Sequence, residues 1–219
     1  MNAQPGLRER KKQQTRQLIA ATARRLFVER GFDGVTVAEV AREADVAEKT
    51  VFNYFPTKED LFYSRLEAFE EELLAAVRER APGATVLSAC RDYLLAQRGV
   101  LAKKSPGGDD EATRQIQAIT RVITESPALL ARERQVFARY AESLAALIAE
   151  ETGAAPHEVE PRAVANALLG IHRALIDYSR QRALAGAPAS QIARELRVQE
   201  KRAFARLERG LADYAVKET

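Results

Sequence analysis

A short stretch of the chain carries polar side chains of the kinds that pair with the edges of DNA bases. They are Glu48, Lys49, Thr50 and Asn53. In the major groove Asn pairs with adenine, Lys with guanine and Glu with the cytosine amino group, while Thr contacts the thymine methyl. Such a set can discriminate sequences only where a rigid element presents it outward and phosphate contacts fix its register.

The residues just before this cluster predict the start of a helix. Thr36 is a good N-cap, and Glu39 three residues later completes a capping box. Val35 and Val40 occupy the positions of a hydrophobic staple. These local rules agree on a helix that begins after Thr36.

A second short helix, from about Ala47 to Phe55, is predicted after a corner at Asp45-Val46. Val51 lies one turn from Phe55, so both belong to the inward face and the polar cluster is left facing outward. Two short helices at a tight corner form a helix-turn-helix, whose second helix enters the major groove.

Further side chains near this corner are candidates for contact with the DNA backbone. Thr36, Tyr54 and Lys58 lie at helix starts or edges, where phosphate oxygens would come close, and Lys58 also lies where backbone N–H groups attract anions. Phe52 either packs within the protein or contacts thymine methyl groups. Glu48 is either a cytosine reader or a filter against other sequences.

The beginning of the chain is strongly basic. The first 30 residues hold eight Lys or Arg and two Glu, a net charge of +6, whereas the whole chain carries only +3. A basic end on a slightly acidic body is typical of a protein that meets polyphosphate at one end. Arg8, Lys11 and Lys12 are therefore either a solvated helix start or contacts to the backbone or minor groove.

The remaining pattern is helical, and period-2 strands are not apparent. We expect a helix from Thr57 to about Arg80 that links a helix-turn-helix domain, residues 1–56, to a larger domain, residues 57–219. Further helices are predicted near 84–97, 110–124, 127–151, 160–186 and 188–216. The last two carry apolar residues on more than one face, so they must cover a core and a second surface.

Several polar side chains of the larger domain are candidates for a ligand pocket. Tyr93, Tyr140 and Tyr178 either line a cavity or pack as core, and His172 is either a hydrogen-bonded core residue or a ligand contact. Arg121 could meet an anionic head group or simply face solvent. His157 and His172 are the only histidines, so no metal site is expected.

Other classes of protein are disfavoured. A glycine-rich phosphate loop and a nucleophile–base pair are not recognisable, so we expect neither an enzyme nor a bound cofactor. Apolar runs stay well short of the roughly 18–20 residues that span a membrane, and the charged N-terminus lacks the apolar stretch of a signal peptide. Cys90 is the single cysteine, which fits a reducing compartment. We expect a cytoplasmic protein without a membrane partner.

Two motifs resemble the DNA-binding domain of the TetR (tetracycline repressor) family of bacterial transcription regulators. The family pattern T-V-x-x-I-A-x-x-A-G-V is similar to T-V-A-E-V-A-R-E-A-D-V at residues 36–46, and S-x-x-T-L-Y-x-Y-F-x-x-K-x-x-L is similar to A-E-K-T-V-F-N-Y-F-P-T-K-E-D-L at residues 47–61. Asp45, Ala47 and Phe52 depart from the usual Gly, Ser/Thr and Tyr. The resemblance implies that family contacts to DNA fall on these positions: Thr36, Glu48, Lys49, Thr50, Phe52, Asn53, Tyr54 and Lys58.

The resemblance also implies an all-α, ligand-responsive repressor that binds double-stranded operator DNA. Such proteins are homodimers, here through the last two helices at about 160–216, with a small-molecule pocket in the larger domain. The segment from Thr120 to Arg132 vaguely resembles members suspected of sensing acyl-CoA-like ligands. The alternative is a non-sequence-specific architectural DNA-binding protein without an effector.

Overall fold

The computed structural model describes residues 6–64, 66–96, 107–155 and 157–211, and in these ranges the regular secondary structure is α-helical. This confirms the all-α class. The helices, in chain order, are α1 Leu7–Arg30, α2 Val37–Glu43, α3 Glu48–Tyr54, α4 Lys58–Phe62, α5 Leu66–Arg78, α6 Val86–Ala96, α7 Gly108–Glu125, α8 Pro127–Thr152, α9 Glu160–Leu184 and α10 Ala189–Leu211.

The chain divides into two compact units. The first comprises Met1–Leu66 and Val122–Arg132, and the second comprises Glu67–Arg121 and Glu133–Thr219. The first unit thus holds α1 to α4 together with the end of α7 and the start of α8. The functional boundary predicted between residues 56 and 57 remains a prediction, because compactness alone does not say where a function ends.

The prediction of one continuous helix from Thr57 to about Arg80 is wrong. The structure has two helices here, α4 and α5, and a turn at Tyr63 and Ser64. The Tyr63 backbone leaves the helical conformation at φ −91° and ψ 28°, and its hydroxyl donates to the Leu129 carbonyl at 3.3 Å. This contact with a residue distant in the sequence holds Tyr63 within the first unit.

The core of the first unit forms from apolar side chains of α1, α2 and the α3 segment. Ile19 and Phe27 of α1, Val40 of α2, and Val51 and Phe55 of the α3 segment are almost completely buried. α1 packs against α2 and α4, and α2 packs against α3. Since α2 and α3 are only seven residues long, packing of α2 onto α1 and of α3 onto α2 must supply most of their stability.

The predicted capping box at the start of α2 is present. The Glu39 N–H donates to the Thr36 hydroxyl oxygen at 3.2 Å, and the Thr36 N–H donates to a Glu39 carboxylate oxygen at 2.8 Å. α4 begins in the same way, with Thr57 and Asp60 as the reciprocal pair. Both short helices therefore start at positions that the sequence fixes.

The corner between α2 and α3 is a Schellman motif with aspartate in place of glycine. Asp45 has φ 53°, the one positive value of a non-glycine residue in the described chain. The Val46 N–H donates to the Ala41 carbonyl at 3.0 Å, and the Asp45 N–H donates to the Arg42 carbonyl at 3.3 Å. These bonds satisfy the last carbonyls of α2 and turn the chain into α3.

We expect Asp45→Gly to raise the free energy of unfolding by up to about 1 kcal/mol, because glycine adopts this left-handed conformation without a Cβ penalty. Ala38→Gly, at an exposed right-handed position in α2, is the matched control and should lower it by about 1 kcal/mol. Urea unfolding of both variants tests the geometry of the corner. Equal destabilisation by the two glycines would contradict it.

In the second unit, α10 packs against α9 and α6, and α6 also contacts α9. The N-terminus of α10 is capped by side chains of α7. The Ala189 N–H donates to the Thr113 hydroxyl at 2.9 Å, and the Ser190 N–H donates to an Asp109 carboxylate oxygen at 2.8 Å. Side chains of α7 therefore help to fix the hairpin of α9 and α10.

Candidate nucleic-acid interface

The outward face of α3 presents four of the side chains that were predicted to contact DNA. Glu48, Lys49, Phe52 and Asn53 are all exposed, whereas Val51 in the same helix is fully buried. The Phe52 ring is 45% exposed, so it lies on the surface rather than in the core of its unit. α3 thus offers hydrogen-bonding groups of both polarities and one apolar ring on a single open surface.

Two further predicted contacts lie at the margins of this face. Thr50 and Tyr54 are partly buried. They follow the exposed positions by one residue each, and on a helix neighbouring residues point about 100° apart. Their placement suits backbone contacts beside a groove better than contacts to base edges inside it.

Thr36 is exposed, but its hydroxyl is already engaged. It accepts from the Glu39 N–H and donates to a Glu39 carboxylate oxygen at 2.9 Å. The backbone N–H and the hydroxyl of Thr36 both donate to the Glu39 carboxylate and lower its pKa. A hydrogen bond from Thr36 to a phosphate would have to replace the one it donates to Glu39.

Lys58 turns its ammonium group onto aromatic rings. The Lys58 Nζ lies 4.2 Å from the Phe32 ring centroid and 5.8 Å from that of Phe27. Burial lowers the pKa of Lys58, while the carboxylates of Asp33 and Glu59 oppose this. A cation–π contact of this kind contributes about 0.5–2 kcal/mol, so the aromatic rings help to hold the charge that was predicted to meet phosphate.

The basic start of the chain lies on α1. Arg8, Lys11 and Lys12 are exposed in its first two turns. Further along α1, Arg25 donates to Glu43 at the end of α2 at 2.5 Å. Water screens this surface ion pair, so it contributes little to stability, yet it links α1 to the helix that precedes α3.

In the second unit the structure brings together three of the five candidate pocket residues. Tyr93, Tyr140 and His172 surround Phe69, with ring centroids 5.5, 5.5 and 4.8 Å from its own. Phe137 joins them at 5.8 Å from both Tyr140 and His172. These five side chains are here called the aromatic cluster. Phe69 was not among the candidate site residues, because an apolar ring in a helical pattern carries no signal beyond core packing.

The other two candidates are Tyr178 and Arg121. The Tyr178 hydroxyl donates to a Glu195 carboxylate oxygen at 3.0 Å, which ties α9 to α10. Arg121 is exposed on α7. Of the five candidates, Tyr93, Tyr140 and His172 thus make the ring contacts of the aromatic cluster.

Comparison with known families decides the class of the protein. Residues 19–64 match the family model described as bacterial regulatory proteins, tetR family, and residues 96–212 match the model of the MftR C-terminal domain. Together the two models cover most of the chain. The chain belongs to the TetR family of bacterial transcriptional regulators.

Relatives of this TetR-family chain include other regulators. The HTH-type transcriptional regulator TcmR of Streptomyces glaucescens is 32% identical over 146 residues, which cover 65% of this chain and 64% of TcmR. The nucleoid occlusion factor SlmA of Pasteurella multocida (strain Pm70) is 26% identical over 134 residues, covering 58% and 62%. The chain thus spans less than two thirds of the length of each of these two relatives.

A solved structure supports the fold of this TetR-family chain. GusR of Salmonella enterica aligns with a TM-score of 0.52 at 20% identity, over 89% of this chain and 93% of GusR. At this identity the likeness concerns the arrangement of helices and not the molecules that either protein binds.

His172 is the titratable member of the aromatic cluster. It is stacked on Phe69, and its partly buried ring lies close enough to Glu133 for that carboxylate to raise its pKa slightly. Burial has the larger effect and lowers the pKa of His172 to about 4. The imidazole is therefore neutral at pH 7.

This pKa predicts a loss of stability in acid. An unfolded chain binds a proton at His172 below its ordinary pKa of 6.5, whereas the folded chain does so only near 4. Stability is therefore complete above pH 6.5 and falls as the pH drops towards 4, by up to about 3 kcal/mol. His172→Phe keeps a stacked ring and should remove this part of the pH dependence in urea unfolding at pH 7 and pH 4.5.

The control for His172→Phe is His157→Gln, which changes an exposed histidine. We expect His157→Gln to retain the wild-type difference between the two pH values. A wild-type difference that persists in His172→Phe would show that other groups cause it.

The part of the chain that the structure describes contains neither a group of metal-binding side chains nor a membrane-spanning helix. Within it, three or more His, Cys, Asp or Glu side chains do not come together in a way that could hold a metal ion. Its helices are also not long and apolar enough for one of them to cross a membrane.

Proposed function

We propose that this TetR-family chain is a sequence-specific repressor that leaves its operator when a small, largely apolar molecule binds. The observation that carries this proposal is the outward face of α3. Its exposed Glu48, Lys49 and Asn53 can pair with base edges, and exposed Phe52 can contact thymine methyl groups. The buried Val51 anchors the helix from behind.

The proposed partner is double-stranded operator DNA in the bacterial cytoplasm, where chromosomal DNA lies. Asn53 and Lys49 would pair with adenine and guanine, Phe52 would contact thymine methyl groups, and Glu48 would either accept from cytosine or exclude other sequences. Backbone contacts would fix the register. The residues proposed for them are Thr36, Thr50, Tyr54, Lys58, Arg8, Lys11 and Lys12.

The proposed repressor is a homodimer through α9 and α10, whose predicted interface reached residue 216 and so extends beyond the described residues. In support, Leu184 at the end of α9 is 52% exposed and Val198 in α10 is 48% exposed. Large apolar side chains that are exposed on α9 and α10 favour the binding of a partner that covers them. Dimerisation would present two α3 helices to two half-sites.

Release would follow from differential binding. The dimer is proposed to have two conformations, one in which the spacing of the two α3 helices matches the DNA half-sites and one in which it does not. An effector that binds the second conformation more tightly lowers the affinity for DNA by the ratio of its affinities for the two conformations. Tyr93, Tyr140 and His172 are the proposed effector contacts that the structure gathers, whereas Arg121 and Tyr178 are proposed on sequence alone. An acyl-CoA-like effector, with Arg121 at its head group, would give heat in calorimetry with a long-chain acyl-CoA.

The connection between effector and DNA is proposed to run through Asp60. One Asp60 oxygen accepts from Arg132 at 2.7 Å, and the other accepts from the Thr57 N–H at 3.1 Å. This carboxylate thus joins the start of α8 to the start of α4, where Lys58 lies, and all of these residues are in the first unit. α8 continues beyond Arg132 into the second unit, so a shift of α8 would move Asp60.

The second candidate function is a non-sequence-specific architectural DNA-binding protein. The relative named as a nucleoid occlusion factor, SlmA, gives this alternative some weight. An architectural protein would bind its own upstream region and random DNA with similar affinity, and its binding would depend mainly on salt.

Footprinting on the DNA upstream of the protein's own coding sequence separates the two functions. A repressor protects a short segment with two-fold symmetry, at concentrations that leave random DNA unprotected. Uniform protection of all fragments would favour the architectural function. Absence of protection on every genomic fragment would refute both.

A further inference from the structure

One acidic side chain of the second unit lies in its core. Glu200, in α10, is only 8% exposed. It follows the fully buried Ile192 by eight residues and precedes the equally buried Phe204 by four, so the three occupy one stripe of the helix. The stripe points into the unit, where α10 packs against α9 and α6.

Glu200 differs from the other buried charged residues of the described chain. Arg80 is ion-paired with Glu151, and Glu133 is ion-paired with Arg180. For Glu200 the described residues provide neither a hydrogen bond nor an ion pair. A carboxylate removed from water without a partner is strongly unfavourable, and burial accordingly raises the pKa of Glu200.

Aromatic rings lie at the same level of the helix pair. The bond from Tyr178 to Glu195 fixes the antiparallel register of α9 and α10. Six residues before Tyr178 is His172, and five residues after Glu195 is Glu200, so at a rise of about 1.5 Å per residue both lie about 7–9 Å along the pair from that bond. Tyr93 of α6 and His172 belong to the aromatic cluster and are only partly buried.

We propose that the second unit binds an aromatic organic cation, with its positive group paired to Glu200 and its ring against the aromatic cluster. A buried carboxylate selects a cation by charge, and the faces of aromatic rings attract cations as well. An aromatic cation is thus a second candidate effector beside the acyl-CoA-like molecule. That the cation is the effector rests on the proposed repressor function, whereas its binding does not.

Two isosteric probes test the charge preference. Calorimetry compares 1-methylquinolinium with 1-methylnaphthalene, which differs in having carbon in place of the charged nitrogen. We expect the wild-type protein to bind the cation more tightly by about tenfold or more, as desolvated cation–π and ion-pair contacts would give. Equal affinity for the two probes, or binding of neither, would overturn the proposal.

Two variants assign the preference to Glu200. Glu200→Gln keeps the shape of the side chain and should abolish the preference for the cation. Glu142→Gln, at an exposed position of α8, is the matched control and should retain it. A preference that survives in Glu200→Gln would overturn the assignment.

Proton release gives a second measurement that does not depend on a variant. If the cation displaces a proton from Glu200, the binding enthalpy of the wild-type protein at mildly acidic pH should change with the ionisation enthalpy of the buffer. If no proton is released between pH 5 and pH 7 and the affinity for the cation does not change over that range, Glu200 is not the group that pairs with the cation. Footprinting without a ligand tests the repressor function separately, so each proposal can fail alone.

Discussion

Replacing Lys49 and Asn53 together by alanine should cost about 2–6 kcal/mol of specific DNA affinity. Each good contact to a base edge contributes about 1–3 kcal/mol, although side chains four residues apart on one helix need not contribute additively. Both residues are exposed on α3. Specific binding should therefore weaken by roughly 30-fold or more, measured by titrating labelled DNA from the protected segment.

The same double variant should bind random DNA nearly as well as the wild-type protein, apart from the loss of one positive charge. Arg134→Ala removes a positive charge from an exposed position of α8 and is the matched control. If the double variant bound the protected segment as tightly as Arg134→Ala, α3 could not be the element that selects the sequence.

Breaking the buried ion pair of Arg80 should lower the free energy of unfolding by about 3–5 kcal/mol. The Arg80 side chain is only 3% exposed, and its two terminal nitrogens donate to both oxygens of Glu151 at 3.0 and 2.6 Å. It also donates to the carbonyls of Val77 and Ala84. Arg80→Met removes these bonds and leaves the two carbonyls and the carboxylate without this partner.

The Glu151 side chain is 27% exposed, so water can partly solvate it and the loss should lie towards the lower end of that range. The double variant Arg80→Met/Glu151→Leu should recover part of the stability, because no unpaired charge remains. Arg134→Met, at the surface, should change stability by less than about 0.5 kcal/mol. Urea unfolding in which Arg80→Met matched Arg134→Met would contradict the structural role of the pair.

The DNA-reading segment could be predicted from the sequence because short-range rules determine it. The capping box of Thr36 and Glu39 and the inward positions Val51 and Phe55 involve residues within a few positions of one another. Even the aspartate in place of the corner glycine was compatible with the left-handed conformation that Asp45 adopts. In such a segment local hydrogen bonds and helical periodicity leave few alternatives.

The break between α4 and α5 was not predictable in this way. The residues from Thr57 to Arg80 carry a continuous helical pattern, and the Tyr63 hydroxyl bonds to Leu129, which is 66 positions away. Lys58 shows the same limitation, since its place over the Phe32 ring depends on how α4 packs onto the end of α1. Contacts across such separations leave no periodic trace in the sequence.

Sequence alone determined the helical class, the helix-turn-helix and the side chains that α3 presents, because each follows from neighbours along the chain. Only the tertiary structure gathered Tyr93, Tyr140 and His172 around Phe69, and only it placed Glu200 in the core. In the sequence Glu200 stands beside Lys201 and Arg202 and looks like part of a solvated face. The packing of distant helices, which local spacing does not encode, decides which face of α10 is buried.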